Sequence, residues 1–270
     1  MAVETSGLVA EFLGSQCSAA HGPPSDYSTP SIWTPQVGAG WGTGTLTNFD
    51  GTSTSGWVGD GSEGSPYALY FDGVDTVVNF GDFEGAELTS AATWEFWFYR
   101  TGGHQYGRLA YKRTSPSGWG IYVDGTNNQV RLSTRYSTTP TDLDQPFTVG
   151  ESISGAWKHL VFTYAASTGE LWCHWQGGDG VGGYSGTVSP SGGGDLVNDP
   201  TGPLVFGNNP ADTTRPFGGM VATVRLYDVA LSQSQVEDNF AAGVLAASGL
   251  GISPPESSFT GLIVTRLLNG

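Results

Sequence analysis

The segment Phe217–Phe240, FGGMVATVRLYDVALSQSQVEDNF, reads as a strand, a tight bend and a short helix. From Val221 to Tyr227 the residues Ala222, Val224 and Leu226 fall on one side. Val221, Thr223, Arg225 and Tyr227 fall on the other, the alternation of a strand with one face on a core. Leu231 then precedes Ser-Gln-Ser-Gln, residues 232–235, a capping box in which the first Ser accepts a backbone N–H and the Gln reaches back. Val236 and Phe240 follow four residues apart on one apolar helix face. A strand feeding a closing helix predicts a β-domain sealed near its C-terminal end. Nothing in the segment is catalytic.

The remainder reads as strands and turns. Glycine supplies 42 of 270 residues and charged residues only 13%, while aromatics reach 12%, the composition of a turn-dense sandwich or barrel. Thr93–Arg100 places Trp94, Phe96 and Phe98 on one face and Trp97 and Tyr99 on the other, as in a central strand covered on both sides. Gly7–Phe12 opens the domain as a short strand. Residues 14–60 form a long Pro- and Trp-rich loop in which Trp33, Trp41 and Trp57 either pack the loop down or offer a sugar platform. Ala68–Phe71 and Thr76–Phe80 flank the turn signal Asp72-Gly73. Two hairpins are expected, one around residues 124–128 and one joining Gly155–Ala165 to Gly169–Trp175. No fixed-period repeat is present, which disfavours a solenoid or propeller.

Charge is unevenly placed. The net charge is −15, no Lys or Arg precedes Arg100, and six of the ten basic residues lie between Arg100 and Arg135. Such a chain is expected to repel nucleic acid and anionic membranes, so neither is an expected partner. Cys17 and Cys173 allow one disulfide at most and have no metal-site spacing. The first residues lack the pattern of a signal peptide, so synthesis without a conventional export signal is expected.

Five blocks carry a resemblance: Thr45–Asn48, Ala68–Gly73, Trp94–Tyr99, Trp157–Tyr164 and Phe217–Phe240. Their order and spacing over residues 5–245 are similar to laminin G-like domains of the concanavalin A-like lectin/glucanase superfamily. The resemblance implies an all-β fold, a two-sheet antiparallel jelly-roll sandwich with one short helix near residues 232–241. The domain is expected to span residues 1–245, followed by an extension over 246–270. Versions without a signal peptide resemble bacteriophage virion proteins. That implies a non-enzymatic structural protein that decorates a phage-like particle, is made in the host cytoplasm and contributes to adhesion. Release outside the cell by a non-classical route is the other expectation for its location. The family's structural calcium site implies Asp72 and Asp75 as ligands. The final strand here reads Val221-Ala222-Thr223 where the family often carries Ile-Asp-Glu, which removes one ligand residue from that pattern. No other cofactor is expected.

An enzyme is not expected. Jelly-roll glycosidases carry a Glu-x-Asp-x-x-Glu run on one strand, and none occurs here. Glu95 stands alone in its strand, Glu170 opens another, and Asp82, Glu84 and Glu87 share a loop, so glycoside hydrolysis is a remote alternative. The histidines 21, 104, 159 and 174 accompany no nucleophile elbow. The alternative to a virion role is a lectin-like module for a cell-surface glycan. Its ligand residues are expected among His104, Tyr106, Trp119, Asn208, Asn209 and Arg215. The tail carries the assembly reading: Phe259, Leu262, Ile263, Val264, Leu267 and Leu268 make an apolar arm beyond a Pro-Pro spacer. Such an arm suits docking to another virion protein or to further copies in a homo-oligomer, or else it closes its own sheet as an edge strand.

Overall fold

The structure, a computed structural model, describes residues 2–17, 22–114, 117–138, 143–177, 184–188, 193–209 and 214–247. The expected arm therefore lies outside the described residues. The strands are β1 (Leu8–Leu13), β2 (Ile32–Trp33), β3 (Gly44–Thr47), β4 (Gly56–Val58), β5 (Ala68–Asp72) and β6 (Val77–Asn79). They continue as β7 (Ala91–Gly103), β8 (Tyr106–Lys112), β9 (Trp119–Asp124), β10 (Gln129–Thr134) and β11 (Leu143–Thr148). The last five are β12 (Trp157–Ala165), β13 (Glu170–Gly177), β14 (Tyr184–Val188), β15 (Leu204–Phe206) and β16 (Phe217–Tyr227), before the helix α1 (Gln233–Ala242).

These strands form two antiparallel sheets, the jelly-roll sandwich expected. The first runs β14-β13-β12-β7-β16-β5-β4, with β1 on the same edge of β16 as β5. The second runs β11-β10-β9-β8-β15-β6-β3-β2. Between them lies the main core, to which Trp94, Phe96 and Phe98 of β7 contribute their shared face. Trp97 points the other way, into a smaller cluster with Ala222 and Val244, and stacks on Phe240 of α1 at 5.6 Å. The central strand is thus covered on both faces because a helix lies over the outside of its sheet. The capping box at Ser232 starts that helix, with Gln235 N donating to Ser232 Oγ and Ser232 N to Gln235 Oε1.

One local reading needs correction. In β16 the pairing with β7 slips between Val221 and Thr223, so Val221 joins Val224 and Leu226 in the main core and Ala222 turns outward. A bulge inserts one unpaired residue and reverses the alternation around it. The Asp72-Gly73 turn is present, with Gly73 at a φ of 79°, but β5 and β6 belong to different sheets. The turn is a corner of the sandwich and not a hairpin. Trp33 and Trp57 are buried, whereas Trp41 stays at the surface. Cys17 and Cys173 are both buried free thiols, and burial raises the pKa of each.

Candidate functional site

The β8–β9–β10 ribbon of the second sheet presents two unlike faces. In β9 Trp119, Ile121 and Val123 point into the core, which leaves Gly120, Tyr122 and Asp124 on the outer face. In β10 Val130 and Leu132 point inward and Arg131 and Ser133 outward. Strand β8 breaks the rule. Its register shifts between Arg108 and Ala110, so Leu109 and Ala110 both enter the core. Arg108 and Tyr111, three residues apart, therefore share the outer face.

The outer face is built in rows. Arg108 pairs across to Tyr122, and Tyr122 to Arg131; Tyr111 pairs to Gly120, and Gly120 to Ser133. A Cβ on Gly120 would meet the Tyr111 ring at 2.5 Å, so the glycine makes room for that ring to lie across the sheet. The Arg108 guanidinium lies 3.9 Å from the Tyr122 ring centre and 5.4 Å from that of Tyr111. Arg131 lies 5.4 Å from the Tyr106 ring and Arg113 lies 5.8 Å from Tyr111. Tyr106 meets Tyr122 edge-on at 6.2 Å. Guanidinium and ring hold each other in place through the ring quadrupole.

Electrostatically the face is a local exception to an acidic molecule. Arg131 donates to Asp144 at 2.7 Å and to Gln129 at 2.7 Å. Burial works against its charge, yet the pull of Asp144 outweighs burial and raises its pKa. Burial, with Asp144 alongside, pushes the Tyr122 phenol up to about 12, so it stays a neutral hydroxyl. Arg113 donates to Ser133 Oγ at 2.9 Å. Arg108 donates its backbone N–H to the Arg215 carbonyl at 3.1 Å, which sets those two residues side by side. Burial lowers the pKa of Arg108, and the field of Arg215 adds to that.

Of the ligand residues expected from sequence, Tyr106 and Arg215 lie at this face. His104 is exposed, close to Tyr106, and its Nδ1 accepts from the Tyr106 N–H. Trp119 is corrected: it is a core residue, 1% exposed, edge-on to Trp94, with Nε1 donating to the Ala86 carbonyl. Asn208 is also buried, its Oδ1 accepting from the Asn209 N–H, and so presents no polar group to a ligand. Strict alternation within WGIYVD would have exchanged Trp119 for Tyr122.

Asp72 shapes its own turn, the role weighed beside calcium for Asp72 and Asp75. Asp72 Oδ1 accepts from the N–H of Val74 and from the Thr76 hydroxyl, bracing its own turn. No group of three or more His, Cys, Asp or Glu among the described residues could hold a metal. Three of the acids weighed for hydrolysis are engaged with cations. Asp82 and Glu87 both face Lys112 Nζ, at 3.1 and 3.7 Å. Glu95 is wholly buried against Arg225 and His159. A concavity of about 360 Å³ lies between Asp26, Tyr27, Trp57 and Gly59. Its polar groups are engaged locally: Asp26 Oδ1 accepts from the N–H and hydroxyl of Ser28, and Trp57 Nε1 donates to Pro30 O.

The laminin G model described as Concanavalin A-like lectin/glucanases superfamily matches residues 71–237, more than half of the chain. The chain belongs to that superfamily. No curated protein sequence matches it. Among solved structures it is similar to domain 4 of AbnA, an arabinanase from Geobacillus stearothermophilus solved with arabinotriose. That likeness has 20% identity and a TM-score of 0.56 over 87% of this chain and 99% of that domain. The binding domain of Paraclostridial Mosquitocidal Protein 1 is similar at 13% identity and a TM-score of 0.57, over 87% of this chain and 52% of the other. Trypanosoma rangeli sialidase with sialic acid gives 17% and 0.54 over 90% of this chain, which spans only 34% of that enzyme. At these identities the likenesses show the shared sandwich.

Proposed function

We propose that this superfamily member is a non-catalytic, lectin-like module that binds a glycan on the outer face of β8, β9 and β10. The observation that carries the reading is the alternation of Tyr106, Tyr111 and Tyr122 with Arg108 and Arg131 on that one face. The partly exposed rings of Tyr106 and Tyr111 offer the apolar face of a pyranose a flat partner, and guanidinium and phenol groups reach its hydroxyls. The arabinotriose-bound relative of the same fold supports the reading. A glycan array probed with the full chain tests it: reproducible binding to one sugar class is expected, and loss of that binding in Tyr111→Ala with the fold retained locates the site. Silence across the array overturns it. Incubation with the bound polysaccharide is expected to release no reducing ends.

The virion role and virion location rest on the resemblance and on an arm outside the described residues. Glycan recognition has the better support from this face, and is compatible with an adhesive protein on a particle or outside a cell.

A further inference from the structure

This inference rests on the glycan-binding reading and narrows its ligand. Arg108 is only 6% exposed, and its Nε and Nη1 have no hydrogen-bond partner. Among the described residues no carboxylate forms an ion pair with it, although the chain holds 25 acidic residues against 10 basic ones. The acids of this face are turned elsewhere. Asp144 binds Arg131, and Asp124 accepts from the Thr126 and Asn127 N–H groups and from the Asn127 side chain. Arg215 is a second cation beside Arg108, where a structural pair would have placed an anion. A buried guanidinium with unused donors is costly unless something pairs with it, and rings stacked on it supply only part of the compensation. What the arrangement lacks is an anion brought from outside.

The ligand's anion can be specified by shape. A guanidinium is a planar fork that matches a carboxylate through two parallel hydrogen bonds. Tyr122 and Tyr111 flank Arg108, and of the two only Tyr111 is open to an attached sugar ring. We propose that the site is selective for an acidic glycan, whose sugar-acid carboxylate is received by Arg108 and Arg215 while the ring rests against the partly exposed Tyr111. The net charge of −15 does not oppose this at contact range, because salt screens charges more than about 8 Å away at physiological ionic strength.

Titration calorimetry on the full chain tests the assignment with matched ligands: a glucuronate-containing oligosaccharide and its carboxyl-reduced neutral form, sialyllactose and lactose, and sulfated lactose. The carboxylated member of at least one pair is expected to bind about tenfold or more tightly than its neutral partner, as a charge-assisted hydrogen bond implies. Arg215→Gln, at a half-exposed position, is expected to reduce that preference with thermal stability unchanged; Arg108→Lys is expected to do the same while keeping the charge. Equal binding of the neutral forms overturns the inference and leaves the lectin reading standing. Binding of the sulfated sugar alone overturns the carboxylate assignment. Absence of binding to every sugar overturns both readings.

Discussion

Arg225 Nη1 lies 2.7 Å from Glu95 Oε1, and neither side chain reaches solvent. The two residues sit on adjacent central strands, β16 and β7, directly across from each other. Around them Arg225 Nε donates to Glu11 of β1, while Glu95 accepts from Tyr227 and from Asn239 of α1. One ion pair therefore joins three strands to the helix that covers them. Removing one partner of a buried pair leaves the other charge uncompensated, at a cost of about 3–5 kcal/mol. Arg225→Met removes the cation facing both Glu95 and Glu11 and is expected to lower urea stability more than Glu95→Gln, which leaves the Arg225–Glu11 contact in place.

The same pair sets an acid limit. Burial alone would raise the Glu95 pKa, but Arg225 and the hydrogen bond with His159 outweigh it and hold the carboxylate at about 2, below its ordinary 4.5. A depressed folded-state pKa means that the unfolded chain binds more protons, so the contribution is complete above about pH 4.5 and is lost as pH falls towards 2. Thermal melts across that window are expected to show a steeper fall in Tm for the native chain than for Glu95→Gln. Parallel curves would remove Glu95 from the account.

The stacked rings of Trp97 and Phe240 close the outside of the first sheet, at 5.6 Å and 7° between planes. Trp97→Asp places an unpaired charge there, costing several kcal/mol, and is expected to leave no soluble folded protein. Ser232→Ala removes only the helix cap and is expected to cost about 1 kcal/mol. Circular dichroism and urea titration of the two variants measure the contrast.

Much of this was legible because it is local. The two-faced alternation of Trp94 to Tyr99 and the Ser232–Gln235 box depend on neighbours a few residues away, and the structure has both as expected. The site was only half legible. Tyr106 and Arg215 could be picked out as residue types, but the bulge at Leu109 that puts Arg108 and Tyr111 on one face has no signature in YGRLAYK. The choice between Trp119 and Tyr122 turned on which face of β9 meets the core, a property of the whole sheet. The Glu95–Arg225 pair spans 130 residues and no local pattern announces it. Asp72-Gly73 shows the limit from the other side: turn chemistry fixes a reversal of direction and leaves open which sheet receives the next strand.

Residues 249–270 contain only Glu256 and Arg266 as charged groups, with Leu262-Ile263-Val264 and Leu267-Leu268 among them. A segment so apolar gains by adding to a sheet edge of another copy or of a partner. Deleting 249–270 is expected to leave the sandwich folded and to lower the oligomeric state measured by light scattering, or to abolish attachment to a particle. Identical mass and attachment in the two forms would reduce the arm to an edge strand of its own sheet.

Tyr122 supports the outer face from beneath, only 6% exposed under the Arg108 guanidinium. Its ring carries the Arg108 guanidinium at 3.9 Å and meets Tyr106 edge-on, while the core behind it is filled by Ile121 and Val123. Tyr122→Ala removes the support that positions Arg108, and is expected to weaken glycan binding by roughly 10–100-fold, the range for losing a charge-assisted hydrogen bond together with the ring packing behind it. Tyr122→Phe keeps the ring and loses only the hydroxyl that lies near Asp144 and Arg131. It is expected to retain most of the affinity. A glycan titration of the two variants therefore reads ring against hydroxyl. If Phe loses as much as Ala, the hydroxyl and not the stacked guanidinium makes the site, and recognition centres on the Asp144–Arg131 side of the face.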